Sequence, residues 1–138
     1  MAKKETDKSR TSGKRKTALA KAIIKQGSGI IKINKVPYQY LPEFKRLTIQ
    51  EPIEIAKSVL GNFNFDIALV VRGGGQSGQV EASRLAIARA LVEFTKSKEL
   101  KKAFLDYDRN LLVADTRRKE AYKPGDSKAR RKRQKSYR

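Results

Sequence analysis

Five apolar side chains, Phe63, Phe65, Ile67, Leu69 and Val71, alternate without a break and lead directly into Gly73-Gly74-Gly75. Alternation at period two places all five on one face of a strand over 63–72. From Ser77 to Lys96 the period becomes helical. Val80, Ile87, Leu91 and Phe94 form one stripe, flanked by Leu85, Ala88 and Val92, with Arg89, Glu93 and Lys96 opposite. The apolar arc is wide enough for this to be the main helix lying on a sheet. Strand, glycine turn and helix in succession restrict the chain to folds in which a helix packs back on its own sheet. Two details need a reason. Arg84 falls inside the apolar arc, and the second face of the strand begins polar (Asn64, Asp66) and turns apolar (Ala68, Val70). The latter predicts a strand covered on both sides only at its C-terminal end.

The remaining elements are shorter. Thr17 to Lys25 is β-branched and apolar enough for a strand, Gly27-Ser28-Gly29 is a turn, and Ile31 and Ile33 alternate with Lys32 and Asn34 in a second strand. Asn34-Lys35 closes a tight hairpin into a third strand, Val36 to Tyr40, although Lys35 lacks the freedom of glycine at positive φ. Pro42 ends this β-rich third. Pro52 to Leu60 predicts a short helix, with Pro52 in its first turn, Gly61 just past its end, and Ile53, Ala56, Val59 and Leu60 on one face. A last helix covers 98–107, and no apolar periodicity survives Val113. The order β-β-β-α-β-α predicts an α+β two-layer sandwich of helices on a small mixed sheet, as one domain over 17–114.

Charge sets the functional class. The chain has 33 Lys and Arg against 14 Asp and Glu, a net +19 over 138 residues. Residues 1–16 hold seven cations and two acids, and residues 115–138 hold eleven and three. Ser127 to Arg138, SKARRKRQKSYR, has seven cations and no acid. Such a run repels itself, stays extended, and is of use only against a dense polyanion. Two basic arms (1–16 and 115–138) on a milder body are the electrostatic layout of a nucleic-acid binder. With no cysteine there is no disulfide framework or thiolate metal site, and with no histidine the usual metal ligand and general base are missing. The longest apolar stretch, Ile67 to Val71, is too short to span a bilayer. The N-terminus is charged without an apolar segment behind it, unlike a secretory signal. The expectation is a soluble cytoplasmic protein with no cofactor.

Gly73-Gly74-Gly75-Gln76-Ser77-Gly78 matches G-x-G-x-x-G, but a dinucleotide fingerprint needs a following parallel strand ending in an acid. Glu93 has the spacing and lies within the helix. A P-loop fails because no Gly-Lys-Ser/Thr occurs. Two readings stay open. The glycines expose backbone N–H groups at a helix N-terminus to a nucleic-acid phosphate, with Arg72 and Gln76 beside them, or they serve turn geometry alone. No catalytic set appears. Asp106 and Asp108 are candidates for a divalent ion, but they suit a helix end and its turn better. Glu54 and Glu99 lie at helical spacing from Lys57 and Lys102 and suit surface pairs. Tyr122 and Tyr137 have no core in the tail and suit stacking on a base or ribose.

Several segments together resemble the ninth protein of the small ribosomal subunit, a universal family. They are Lys14-Arg15-Lys16-Thr17-Ala18, the Gly-Ser-Gly turn leading to Ile31-Lys32-Ile33-Asn34, the run GGGQSGQVEASRLAIARAL (73–91), YDRNLLVAD (107–115), Arg117-Arg118-Lys119 and SKARRKRQKSYR. The ending Ser-Tyr-Arg is similar to archaeal and eukaryotic members, and the short N-terminal extension to archaeal ones. Lys35 departs from the glycine that many members carry. The resemblance implies the fold of the second domain of another small-subunit ribosomal protein, with a left-handed β-α-β crossover. It implies a seat in the subunit head beside neighbouring ribosomal proteins, with the tail threading through ribosomal RNA towards peptidyl-site transfer RNA. Ribosomal RNA contacts would come from Lys14, Arg15, Lys16, Arg72, Gly73, Gly74, Gly75, Gln76, Gly78, Gln79, Arg84, Arg89 and Arg109. The track would continue through Arg117, Arg118, Lys119, Lys123, Lys128, Arg130, Arg131, Lys132, Arg133 and Lys135. Tyr137 and Arg138 would approach the anticodon stem-loop, and Arg84 would mark an RNA-covered end of its helix. The alternatives are a free-standing nucleic-acid compacting protein and a nucleotide-binding enzyme of a related fold.

Overall fold

The structure is a computed structural model describing residues 8–125 and 128–138. The first seven residues of the basic N-terminal arm, and Asp126 and Ser127 of the tail, lie outside the described residues. Five strands form one mixed sheet in the order β1-β2-β5-β3-β4. They are β1 (Ser9–Arg15), β2 (Ala18–Gln26), β3 (Ile31–Ile33), β4 (Val36–Pro37) and β5 (Phe65–Arg72). Three helices follow the same chain order: α1 (Glu43–Leu60) before β5, then α2 (Gln76–Thr95) and α3 (Lys98–Tyr107). The β3–β5 pair is parallel and the other neighbours are antiparallel. The α+β class and the mixed sheet therefore match the sequence pattern.

The core lies between the sheet and the helices. β2 turns Ala18, Ala20, Ala22 and Ile24 inward, and β5 turns Ile67, Leu69 and Val71 inward, all nearly inaccessible to solvent. α2 is buried almost all round from Ala82 to Leu91. Its alanines face the alanines of β2, and this small-on-small contact brings helix and sheet close. β1 approaches closest of all. A Cβ on Gly13 would collide with the Ala82 carbonyl oxygen and come within 2.7 Å of the Ala86 nitrogen. Thr11 Oγ1 donates to the Ala86 carbonyl at 3.1 Å, and Ser9 Oγ donates to Glu93 Oε1 at 2.8 Å.

Three element boundaries need correction. Ser9–Arg15 is an edge strand rather than part of a free arm: its side chains are too polar to show alternation, and the partner strand and Gly13 hold it. The third strand stops at Pro37, because Tyr38–Tyr40 forms a 3₁₀ turn. α1 begins at Glu43 after Pro42, so Pro52 lies mid-helix. Ile49, Pro52, Ile53 and Ala56 are its buried residues, at spacings of three, one and three. The proline ring thus serves as a core side chain, and this offsets the backbone hydrogen bond that its missing N–H removes. The Asn34-Lys35 turn does form, with φ of 48° and 71°. Asn34 supports that strain by acting as a ladder residue: its N–H donates to the Leu69 carbonyl (2.8 Å), and its side-chain amide bonds both the N–H (2.9 Å) and the carbonyl (3.2 Å) of Val71.

No helix of the described residues lies on the other sheet face. Val70 remains 49% exposed and Leu19 and Ile23 38% each, so the expected cover over the end of β5 is missing. Cations interleave these residues in register: Lys14 pairs with Leu19, Leu19 with Arg72, Lys21 with Val70, Arg10 with Ile23, and Lys32 with Ala68.

Gly13→Ala has no cheap relaxation, since both colliding atoms belong to helix backbone. It should destabilise the protein by about 2–3 kcal/mol in urea unfolding, at the upper end of the usual cost of overpacking. An unchanged midpoint would mean that β1 is not seated on α2 in solution.

Candidate nucleic-acid interface

One end of the sheet gathers three basic segments. The first is the Lys16-Thr17 turn between β1 and β2, with Lys16 at φ 52° and Arg15 paired with Ala18 beneath it. The second is the glycine loop after β5, which lies against that turn because β5 neighbours β2. A Cβ on Gly73 would stand 2.7 Å from the Thr17 carbonyl oxygen, and one on Gly74 would stand 2.8 Å from the Ala18 nitrogen. Both glycines also have positive φ, 75° and 65°. Turn geometry therefore accounts for Gly73 and Gly74, whereas Gly75 has open space around it and sits as the N-cap of α2. No side chain caps this helix start and no acid occupies its first turn. The first-turn N–H groups and the positive dipole end thus lie at an exposed surface, flanked by Arg72 and Gln76. Gln79 points back, Nε2 donating to the Gly73 carbonyl at 3.1 Å, and Lys45 of α1 donates to Gln76 Oε1. Nearby on the chain, Tyr40 and Phe44 are 80% and 86% exposed, aromatic surface that the strand pattern had not revealed.

The third segment is the root of the tail. Arg118 Nη2 donates to the Lys16 carbonyl at 2.7 Å, which brings Arg117-Arg118-Lys119 to the same end. Asp115 holds the root from the other side. It meets Arg15 Nη1 at 3.0 Å and Arg117 Nη2 at 2.7 Å, and it accepts the Arg117 backbone N–H at 3.0 Å. The Arg117 side chain, then its N–H, and more weakly the Arg15 charge, hold the Asp115 carboxyl well below the usual carboxylate range.

Several arginines expected on RNA turn out to be engaged within the fold. Arg15 also meets Glu81 at 2.5 Å, and its side chain is only 17% exposed. Arg84 lies between Glu51 of α1 (2.5 Å) and Asp108 (3.0 Å). This internal ion triplet supplies a reason for a cation in the apolar arc of α2. Arg89 donates to the carbonyls of Leu112 and Ser12, both at 2.9 Å, tying β1 to the segment after α3. No spacing in the sequence announces these partners, because they join residues 23 to 100 positions apart. Asp108 also caps the 3₁₀ turn Arg109–Leu111 by accepting from the Asn110 N–H. Among the described residues no group of three acids could hold a metal ion. Nor does a strand follow α2, so the dinucleotide geometry is absent.

Beyond the root the described tail carries neither helix nor strand. Lys119 Nζ lies 4.4 Å above the Tyr122 ring, so that ring already has a cation on one face. Arg130 meets Glu120 at 3.1 Å, and the Arg131 N–H donates to the Lys128 carbonyl. Arg109, Lys123, Lys132, Arg133, Lys135 and Arg138 are exposed, and Tyr137 is 89% exposed. The arrangement is an electropositive end with a helix N-terminus at its centre and a basic tail leaving it, suited to tracking a polyphosphate backbone.

The sequence profile of the family described as ribosomal protein S9/S16 matches residues 13–138. The small ribosomal subunit protein uS9 of Methanococcus maripaludis strain C7 is 49% identical over 131 residues, covering 93% of this chain and 96% of that protein. Its counterpart in strain C5 is 48% identical with the same coverage.

Because its folded pKa is depressed, the Asp115 contribution is fully present above the ordinary carboxylate value of 3.8 and is lost only as pH falls through the depressed one. At neutral pH only a substitution opens the root. Asp115→Asn should raise the trypsin cleavage rate at Arg117, Arg118 and Lys119 by roughly three- to tenfold, through a larger open population. Cleavage within the helices should not change. Equal rates at the root would show that the ion pairs do not hold it.

Proposed function

The chain belongs to the ribosomal protein S9/S16 family, and on that premise we propose how its geometry serves the small subunit. It is a structural constituent of the small ribosomal subunit, working in the cytoplasm as part of the ribosome, and is not an enzyme. Ribosomal RNA is the partner that its charge fits. The body docks in the subunit head with the loop end (Lys14, Lys16, Arg72, Gly75 and Gln76) against RNA, beside neighbouring ribosomal proteins. Arg15, Arg84 and Arg89 act on that interface indirectly, by fixing the turn, α2 and the tail root. Arg117 to Lys119 start a track that the tail continues, and Tyr137 and Arg138 reach the anticodon stem-loop of peptidyl-site transfer RNA.

The observation that carries this reading is the rooted tail. Its origin is tied to the body by Arg118 and Asp115, while its end is free of regular structure. An extended chain covers 3.3–3.6 Å per residue, so residues 115–138 can reach roughly 80 Å from that root. A domain docked on ribosomal RNA can therefore act at a distant site. Tyr137 offers a flat face and a hydroxyl to a base or ribose. Arg138, exposed beside it, offers a guanidinium to a phosphate.

Deleting 127–138 removes seven cations. The slope of log affinity against log salt on a small-subunit ribosomal RNA fragment should flatten by roughly 5–6 units. An unchanged slope would take the tail off that RNA.

Deleting only Tyr137 and Arg138 separates the two partners. Small-subunit yield should hold, because six of the seven cations remain, whereas peptidyl-site transfer RNA affinity should fall. Intact transfer RNA binding with impaired assembly would make the tip one more ribosomal RNA anchor.

A further inference from the structure

We infer that the helix-free face of the sheet is a second RNA surface, built to seat the shallow minor groove of a double-helical ribosomal RNA segment. The inference rests on the reading of the chain as a ribosomal RNA binder and adds a site opposite the helices, which adjoins the loop end at Lys14 and Arg72.

The face has two components in register. Leu19, Ile23 and Val70 make an aliphatic strip on the two central strands β2 and β5. Cations stand on both sides of it: Arg10 and Lys14 on β1, Lys32 on β3 and Arg72 at the end of β5, with Lys21 within the strip. Among the described residues none of these five has a carboxylate at ion-pair distance. Asp66, the one acid of the described residues on the face, is already engaged. It accepts the Ser28 and Ile30 N–H groups at 2.9 and 3.0 Å and lies 3.7 Å from Lys25. The Ile30 N–H, first among these contacts, holds its carboxyl below the usual value. The face therefore presents uncompensated positive charge around an apolar centre.

RNA satisfies both components. Neighbouring strands lie about 4.8 Å apart, so the cations of β1 stand roughly 10–14 Å from those of β5 and β3. Two phosphate rows flanking a shallow groove meet such columns, and the ribose edges between them offer C–H surface to Leu19, Ile23 and Val70. The face has no aromatic ring in the strip, so it is not a platform for splayed bases. A protein partner fits less well, since lysine is depleted at the centre of protein interfaces and Lys21 sits in the middle here.

The chain has no cysteine, so Lys21→Cys gives a unique attachment point for an iron–EDTA group that cuts nearby RNA backbone. The experiment uses reconstituted small subunits, with Ser136→Cys in the tail as the second position. From Lys21→Cys we expect cleavage on both strands of one double-helical segment, distinct from the sites cut from the tail. Cleavage from the tail with none from Lys21→Cys, or cross-linking of that cysteine to a neighbouring protein, would overturn the sheet surface and leave the RNA-binding reading intact. No cleavage from either position would bring down both. The combined Arg10→Gln, Lys21→Gln and Lys32→Gln variant, folded by circular dichroism, should flatten the salt slope on the small-subunit RNA by about 2–3 units. An unchanged slope would equally overturn the proposal.

Discussion

The close approach of α2 to the β1–β2 hairpin governs the rest of the molecule. Three alanines of β2 face a helix whose own buried surface is largely alanine, and Gly13 of β1 has no side chain where α2 passes. Only small residues allow that separation, and the separation in turn decides what the helix can reach. With α2 lying this low, Arg89 touches the β1 backbone, Arg15 reaches Glu81, and the helix N-terminus emerges beside the turn at Lys16. Larger residues at these positions would lift the helix and leave the same charged groups without their partners, which is costly for half-buried ions.

Much of this architecture was readable where burial imposes a period. β5 and α2 carried strong apolar alternation and a wide apolar arc, and α3 matched its expected bounds at both ends. Legibility failed where tertiary contact does the work of local preference. β1 is polar along its length, yet it pairs in full register with β2. The first half of α1 exposes Phe44 and Leu47, so its stripe begins only at Ile49, and a mid-helix proline disguised its true start. At the site, the charge excess and the tail were plain from composition. Which arginines face inward was not, because the carboxylates that engage them come from distant parts of the chain.

The cations consequently divide into two kinds. Arg15, Arg84 and Arg89 are held by carboxylates or carbonyls and behave as structural members, whereas Lys16, Lys21, Lys32 and Arg72 stand exposed. The first kind adds little to long-range attraction, since its field is cancelled locally. The second kind, together with the tail, dominates the field that a polyanion meets from a distance. Mutual repulsion among exposed cations works against the isolated fold and is relieved when a polyanion covers them, so binding and stability are coupled through the same side chains.

The Arg15–Asp115 pair joins residues one hundred positions apart, and the Arg118–Lys16 contact spans slightly more. During synthesis the N-terminal hairpin exists long before the segment that completes it. Until Asp108 and Asp115 emerge, Arg84 and Arg15 each have only the first of their two carboxylates, Glu51 and Glu81, and neither ion cluster is complete. Closure of such long loops is slow. The body becomes electrostatically complete only as its last basic stretch is being added, so its maturation and the appearance of its tail are nearly one event.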